Sequence, residues 1–188
     1  MYMDNINLFY LLTIGVFFMG LFWFLTDPRT ASEKTSYYVD FKKIIIYFVY
    51  LLIIMIQYTL FRYFPEIKLP GGLISLYFGL LLFVLGGILA VWSRLEMDTV
   101  WGVPGQHNIK RQDTLITTGP FAFSRNPIYV SLLIMIAGYF LALQSYLVLV
   151  VLFPFDYFGR VIKIEEALLE KYFGEKYLQY KKTVRRWL

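Results

Sequence analysis

The stretch LPGGLISLYFGLLLFVLGGILAVWS, Leu69–Ser93, runs for 25 residues without an Asp, Glu, Lys or Arg. A hydrocarbon core about 30 Å thick is crossed by about 20 apolar helical residues, so this segment is long enough to span it. In lipid the backbone N–H and C=O groups have no water to bond, and a helix satisfies them within the segment. A closed barrel would read as short alternating strands, and this run does not alternate. Three other stretches carry no charge: Asn5–Thr26, Ile44–Phe61 and Asn126–Phe155.

The composition agrees with these runs. The chain of 188 residues is 59% hydrophobic and only 16% charged, against roughly 45–50% apolar and about 25% charged in a soluble domain. That length has room for one domain. Three of the runs read as single helices. The fourth holds 30 residues and as one straight helix would measure about 45 Å, too long for a single crossing. Gln144 and Ser145 sit near its middle, after Gly138, so it is expected to fold as a helical hairpin of two short legs. Each leg of roughly 22 Å would reach across the bilayer only marginally.

The expected fold is therefore all-α: a polytopic membrane bundle of about five transmembrane helices, the last two a hairpin, in a single domain over residues 1–188. Residues 1–93 supply three helices. Residues 94–188 supply a polar segment, the hairpin and the tail. With five crossings and the N-terminus outside, sixteen of the eighteen Lys and Arg residues fall on one side. The positive-inside rule then places both polar segments, Arg94–Arg125 and the tail from Asp156, in the cytoplasm. The pI of 9.3 follows from this sidedness and from attraction to anionic lipid headgroups, and no nucleic-acid motif accompanies it. Residues 1–5 lack the basic start of a secretory signal, and no small-residue cleavage site follows the first run. That run is expected to be retained as a helix, in a prokaryotic plasma membrane.

Several chemistries are excluded at once. With no Cys there is no disulfide, thiolate nucleophile or thiolate metal ligand, and the single His107 rules out a histidine-rich metal site. No glycine-rich dinucleotide turn, P-loop or H-E-x-x-H motif is present. In the tail, Val161, Ile164, Leu168 and Tyr172 form an apolar stripe at helical spacing, Gly174 reads as a helix stop, and Tyr177, Tyr180 and Val184 continue beyond it. A charged helix with an apolar face lies on a membrane surface or covers something, which makes the tail a helical cap over the cytosolic mouth of the bundle.

Two strings carry more. DTLITTGPFAFSRNPIYVS, Asp113–Ser131, resembles the H-x-L-V-T-x-G-P-Y-x-x-x-R-H-P-x-Y stretch of the isoprenylcysteine carboxyl methyltransferase and phospholipid methyltransferase superfamily. RVIKIEEALLEKYFGEKYLQYKKTV, Arg160–Val184, resembles that family's closing motif of an Arg, a Glu pair and F-G-E-x-Y-x-x-Y. The resemblance implies an S-adenosylmethionine-dependent methyltransferase that releases S-adenosylhomocysteine, its cofactor in a cytosol-facing pocket under the tail. It places Gln106, Thr114, Leu115, Ile116, Gly119, Phe121, Pro127, Ile128, Tyr129 and Glu165 at cofactor-contacting positions, and Arg160 at the Arg associated with a substrate carboxylate. Asp113 and Asn126 stand where the family has His, and His107 is the one ring available in partial replacement. No metal is implied. Read without the resemblance, Gly119-Pro120 and Asn126-Pro127 are ordinary turn and helix-start signals, and Arg160 and Glu165 are charges beside a headgroup layer.

The implied acceptor is lipophilic and enters from the bilayer, and a carboxylate on a prenylated cysteine suits these residues best. A carboxylate is already a nucleophile, and its reaction with a sulfonium gives two neutral products, so a dry site and an orienting Arg suffice. On this reading Arg160 and Glu165 are the catalytic pair, one holding the acceptor and the other the donor. A phospholipid amine arrives protonated and needs a base, for which Asp113, Glu166 and His107 are the candidates. A third reading is an NADPH-dependent sterol-reductase-like protein, whose dinucleotide would need extra basic residues for its 2′-phosphate.

Overall fold

The computed structural model describes residues 5–28, 30, 34, 41–64, 66–98 and 114–188. Among these residues six α-helices follow in order: α1 Asn5–Thr26, α2 Phe41–Tyr63, α3 Gly72–Met97, α4 Pro127–Ala142, α5 Leu152–Phe173 and α6 Glu175–Thr183. Short 3-10 turns occupy Gly119–Ala122 and Tyr146–Val151, and no strand occurs among the described residues.

The first three helices fall on the first three charge-free runs. Two helical stretches, Ile6–Thr26 and Gly72–Met97, are long and apolar enough to cross a membrane, with the shorter apolar helices Tyr47–Tyr63 and Pro127–Ala142 beside them. Only 17% of the most apolar window of each long stretch is buried by protein. A core helix of a soluble protein would be mostly covered. Here large apolar side chains such as Phe17, Phe48, Leu51, Ile74 and Ile88 face outward, a surface that only lipid satisfies.

In lipid the contact between helices must come from close packing rather than hydrophobic exclusion, and small residues allow it. The α3–α4 pair shows this directly. A Cβ on Gly79 would lie 2.1 Å from the Ala142 nitrogen, one on Gly138 2.4 Å from the Phe83 nitrogen, and one on Gly86 2.8 Å from the Met135 nitrogen. The two backbones are in contact along this line, and nothing larger than glycine fits there. Arg94, buried near the C-terminus of α3, donates from Nε to Thr26 Oγ1 (3.1 Å) and from Nη1 to the Asp98 carbonyl (3.0 Å), and from Nη2 to the Thr26 carbonyl. It ties the end of α1 to the end of α3.

The hairpin departs from expectation in its second leg. The first leg is α4, and the turn comes at Leu143–Ser145, where Gln144 donates to the Gly72 carbonyl (2.6 Å) and accepts from the Leu69 amide (2.7 Å). The return is not a separate helix. It starts as the 3-10 turn Tyr146–Val151, with Ser145 Oγ accepting from the Leu147 amide (3.2 Å), and runs directly into α5. Pro154 explains the boundary, since its ring is tolerated only in the first turn of an α-helix. The first tail helix thus begins inside the apolar run, at Leu152, and not at Asp156. Gly174, at φ +54°, separates α5 from α6 as its position in the tail predicts.

The glycine contacts predict unequal sensitivity. Gly138→Ala should destabilise by about 1–3 kcal/mol, as overpacking does, whereas Gly20→Ala, whose Cβ would meet nothing within 4 Å, should leave the melt unchanged. Thermal unfolding in detergent, followed by circular dichroism, measures both.

Candidate functional site

The site forms at the end of the bundle opposite the Leu143–Ser145 turn. Its floor is the start of α4. Pro127 opens that helix with its ring at the first position, where the missing N–H costs nothing, and Tyr129 follows one side-chain step further round. Tyr129 is buried, packed at 4.8 Å between ring centroids on Phe158 of α5. Its hydroxyl donates to Glu165 Oε1 at 2.8 Å, and both residues are nearly inaccessible to water.

Glu165 and Glu166 are consecutive on α5 and so point about 100° apart. Glu165 faces Tyr129. Glu166 faces two guanidiniums: Arg125 Nη2 reaches Oε1 at 2.9 Å and Arg186 Nη2 reaches Oε2 at 2.7 Å. Burial pushes the Glu166 carboxyl up, but the hydrogen bonds from Arg186 and then Arg125 outweigh it and hold the group below its ordinary value. Arg186 is raised in turn, first by its hydrogen bond to Glu166.

This knot fastens the C-terminal segment across the site. Arg125 Nη1 donates to the carbonyls of Val184 (2.6 Å) and Lys181 (3.1 Å), and its backbone amide donates to the Arg185 carbonyl (2.9 Å). Asn126 Nδ2 donates to the Arg186 carbonyl at 3.0 Å, and Ser124 Oγ to the same atom at 3.3 Å. From α6, Tyr180 Oη donates to the Phe121 carbonyl at 2.6 Å, closing the third side. Burial, and then Tyr177, push the Tyr180 hydroxyl up. Burial, and then Glu166, do the same for Tyr177, so both phenols stay neutral. Gly119 sits at φ +56° with the Glu96 carboxylate of α3 where its Cβ would be (2.7 Å), and Thr118 donates to that carboxylate. The turn is therefore pinned to α3.

These elements enclose a cavity walled by Leu115, Ile116, Phe121, Asn126, Ile128, Tyr129 and Glu165, with Met97, Leu169, Tyr177 and Tyr180 completing it. Pro127 and Arg125 also line it. The described walls enclose about 60 Å³, room for about four waters.

Most of the residues singled out in the sequence converge here. Gly119 supports the wall at the Thr118 turn. Thr114 is exposed and does not line the cavity. Gln106, His107 and Asp113 lie outside the described residues. Arg160 does not line the described cavity. It lies five positions before Glu165, about 140° round the helix, and its side chain is 69% exposed and paired with Asp156 at 2.9 Å. Such a pair is worth at most about 1 kcal/mol, and the guanidinium points away from the cavity. The guanidinium that does line it belongs to Arg125. Arg125, Glu166, Tyr177 and Tyr180 all stand within the two quoted strings, so the signal for them was the motif itself, and only the fold reveals what they touch.

The model of the phospholipid methyltransferase family matches residues 74–176, from α3 into α6. The chain belongs to this family. No curated relative matches by sequence. Among solved structures, the eukaryotic intramembrane Ras methyltransferase, isoprenylcysteine carboxyl methyltransferase, superposes with a TM-score of 0.74 at 21% identity, covering 97% of this chain. The chain spans 66% of that larger protein. The fold is thus that of a polytopic membrane methyltransferase, and the matched region carries the whole cavity except the Tyr177–Arg186 strap.

The knot predicts an acid-sensitive tail. A carboxyl held below its ordinary value of 4.5 contributes stability above that pH, lost as pH falls through the lower folded value. Glu166→Gln should therefore lower stability at neutral pH and remove part of the acid dependence below about pH 4.5. Limited proteolysis of the C-terminal segment across pH reads this directly.

Proposed function

We propose that this membrane methyltransferase uses S-adenosylmethionine and acts on a lipophilic acceptor at the cytosolic end of the bundle. The observation that carries the reading is the Tyr129–Glu165 hydrogen bond at the wall of a largely apolar cavity that Arg125 and Asn126 also line. A carboxylate among Ile116, Phe121 and Ile128 suits a ligand with a cationic end and an apolar body, which is the chemistry of a sulfonium amino acid. Bound there, the cofactor would supply an electrophilic methyl group. The chain's part is to hold and to dry the site. Tyr129 fixes the Glu165 carboxylate in one rotamer, and Glu165 would take the cofactor's ammonium by a charge-assisted hydrogen bond. Phe121 and Ile116 would cover its apolar part, and the strap from Val184 to Arg186 would keep water from the reacting atoms. Positioning of this kind is what an in-line methyl transfer needs.

The acceptor we favour is a carboxylate on a prenylated-cysteine-like lipid, because a carboxylate needs no base and the described walls supply none beyond Glu165. Arg160 has no place in this version, since its side chain faces away. A phospholipid amine is the competing acceptor, supported by the name of the matched family. The same match is to methyltransferases and lends nothing to the dinucleotide reading. Cytosolic placement of the cavity rests on the charge asymmetry: the loop with Arg62 and Lys68 lies by the Leu143–Ser145 turn, and the basic tail lies at the other end.

Isothermal titration of the purified chain tests the assignment. S-adenosylhomocysteine should bind and NADPH should not, and Glu165→Gln should weaken binding by about tenfold or more, the scale of one lost charge-assisted hydrogen bond. Arg160→Ala should leave binding, and turnover on a labelled prenylcysteine acid, within about twofold, as exposed ion pairs do. Binding unaffected by Glu165→Gln would overturn the reading.

A further inference from the structure

The helix α5 has two faces with different partners. One face carries Phe158, Ile162, Glu165 and Glu166, all buried against α4 and the strap. On the other, Phe153, Tyr157, Ile164, Leu168 and Tyr172 follow each other at helical spacing, and all are exposed: Ile164 by 64%, Leu168 by 47% and Tyr172 by 51%. At 100° per residue these five fall in one sector about 100° wide. Lys171 and Arg160 fall at one edge of that sector, and Lys163 lies about 80° beyond the same edge, within reach of a long side chain. Arg160 is paired with Asp156, whereas Lys163 and Lys171 make no ion pair among the described residues. Of the acids beside them in the chain, Glu170 and Glu166 are engaged with Lys181 and with the Arg125–Arg186 pair, and Glu175 is exposed at the start of α6.

The stripe is continuous with the lipid-facing surface. Phe153 and Tyr157 leave the apolar run that returns from the Leu143–Ser145 turn. Ile164, Leu168 and Tyr172 carry the same line past the level of Tyr129, where α4 begins. An apolar sector with lysines along its edge is the pattern of a helix lying at the boundary of acyl chains and headgroups, its lysine stems following the apolar surface and their ammonium groups reaching phosphate.

We infer that the C-terminal half of α5 docks on the leaflet surface through Ile164, Leu168 and Tyr172, with Lys163 and Lys171 binding anionic lipid headgroups. Each such cation near an anionic surface contributes on the order of 1 kcal/mol, falling off within a Debye length. This docking concerns the outer face of α5 and does not depend on what the cavity binds.

The absence of Cys from the chain makes single-cysteine labelling clean. Nitroxide labels at Ile164→Cys and Leu168→Cys, with Lys182→Cys as a solvent control, are placed in the full chain in two kinds of proteoliposome. One is pure phosphatidylcholine, and the other is an equal mixture of phosphatidylcholine and phosphatidylglycerol. In the mixed bilayer the first two labels should be more accessible to oxygen than to a water-soluble nickel chelate, with the control reversed. The preference should weaken in pure phosphatidylcholine and in a Lys163→Glu/Lys171→Glu background. Labels open to the chelate in both bilayers would overturn the docking. Labels shielded from both reagents would mean that a second protein copy covers the stripe, and overturn it as well. Lipid-facing labels indifferent to leaflet charge would overturn the headgroup assignment. Circular dichroism of each variant confirms that the exposed substitutions leave the fold intact.

Discussion

One buried carboxylate holds the functional end of this protein together. Glu166 takes two guanidiniums that come from opposite directions in the chain, Arg125 just before α4 and Arg186 near the last residues. A carboxylate in that environment is costly to bury unless it is fully bonded, and losing a partner of a buried pair costs about 3–5 kcal/mol. On the Arg125 side the arrangement is completed by Nη1, which donates to the carbonyls of Lys181 and Val184. The knot draws the tail over the start of α4, and with it Tyr177 and Tyr180 onto the cavity. Glu165, one residue earlier, is then aimed at Tyr129 by helix geometry alone. Remove the knot and the cavity loses its cover before it loses its floor.

The rest of the bundle is built on a different force. Lipid is as apolar as leucine, so α1 to α4 gain little from excluding it and associate by contact. Gly79, Gly86 and Gly138 bring α3 and α4 to backbone distance, and Arg94 donates both to Thr26 at the end of α1 and to Asp98 at the end of α3. The rigid α3–α4 pair is what gives the Pro127–Tyr129 turn a fixed position. Packing in lipid therefore sets the floor of the site, and a salt-bridged knot at the water boundary sets its roof. That division fits a site where a water-soluble donor meets an acceptor that stays in the bilayer.

The membrane helices were legible because absence of charge over 20 residues has one physical outcome in water and lipid. The boundaries of α1 coincide with the charge-free run, and the tail's two helices break at Gly174 as the pattern indicates. The second hairpin leg was not legible, because period alone cannot tell a 3-10 return from a short helix, and Pro154 fixes the junction only once the turn at Gln144 is known. Tyr129 and Glu165 were identified by resemblance and found in contact. Arg160, which the same resemblance associates with a substrate carboxylate, stands about 140° round α5 from Glu165 and pairs with Asp156 outside the described cavity. The glycine contact and the Arg125–Glu166–Arg186 knot join residues far apart in the chain, and no local pattern reports such pairs.

The account rests on the cavity under the strap being the place where the methyl donor is held. A structure of the chain in lipid with S-adenosylhomocysteine bound tests this most directly. The ligand's ammonium should lie within hydrogen-bond reach of Glu165, about 3 Å, with Ile116 and Phe121 against its apolar part and the Tyr129–Glu165 bond intact. A ligand seated elsewhere in the bundle, out of reach of Glu165, would contradict it.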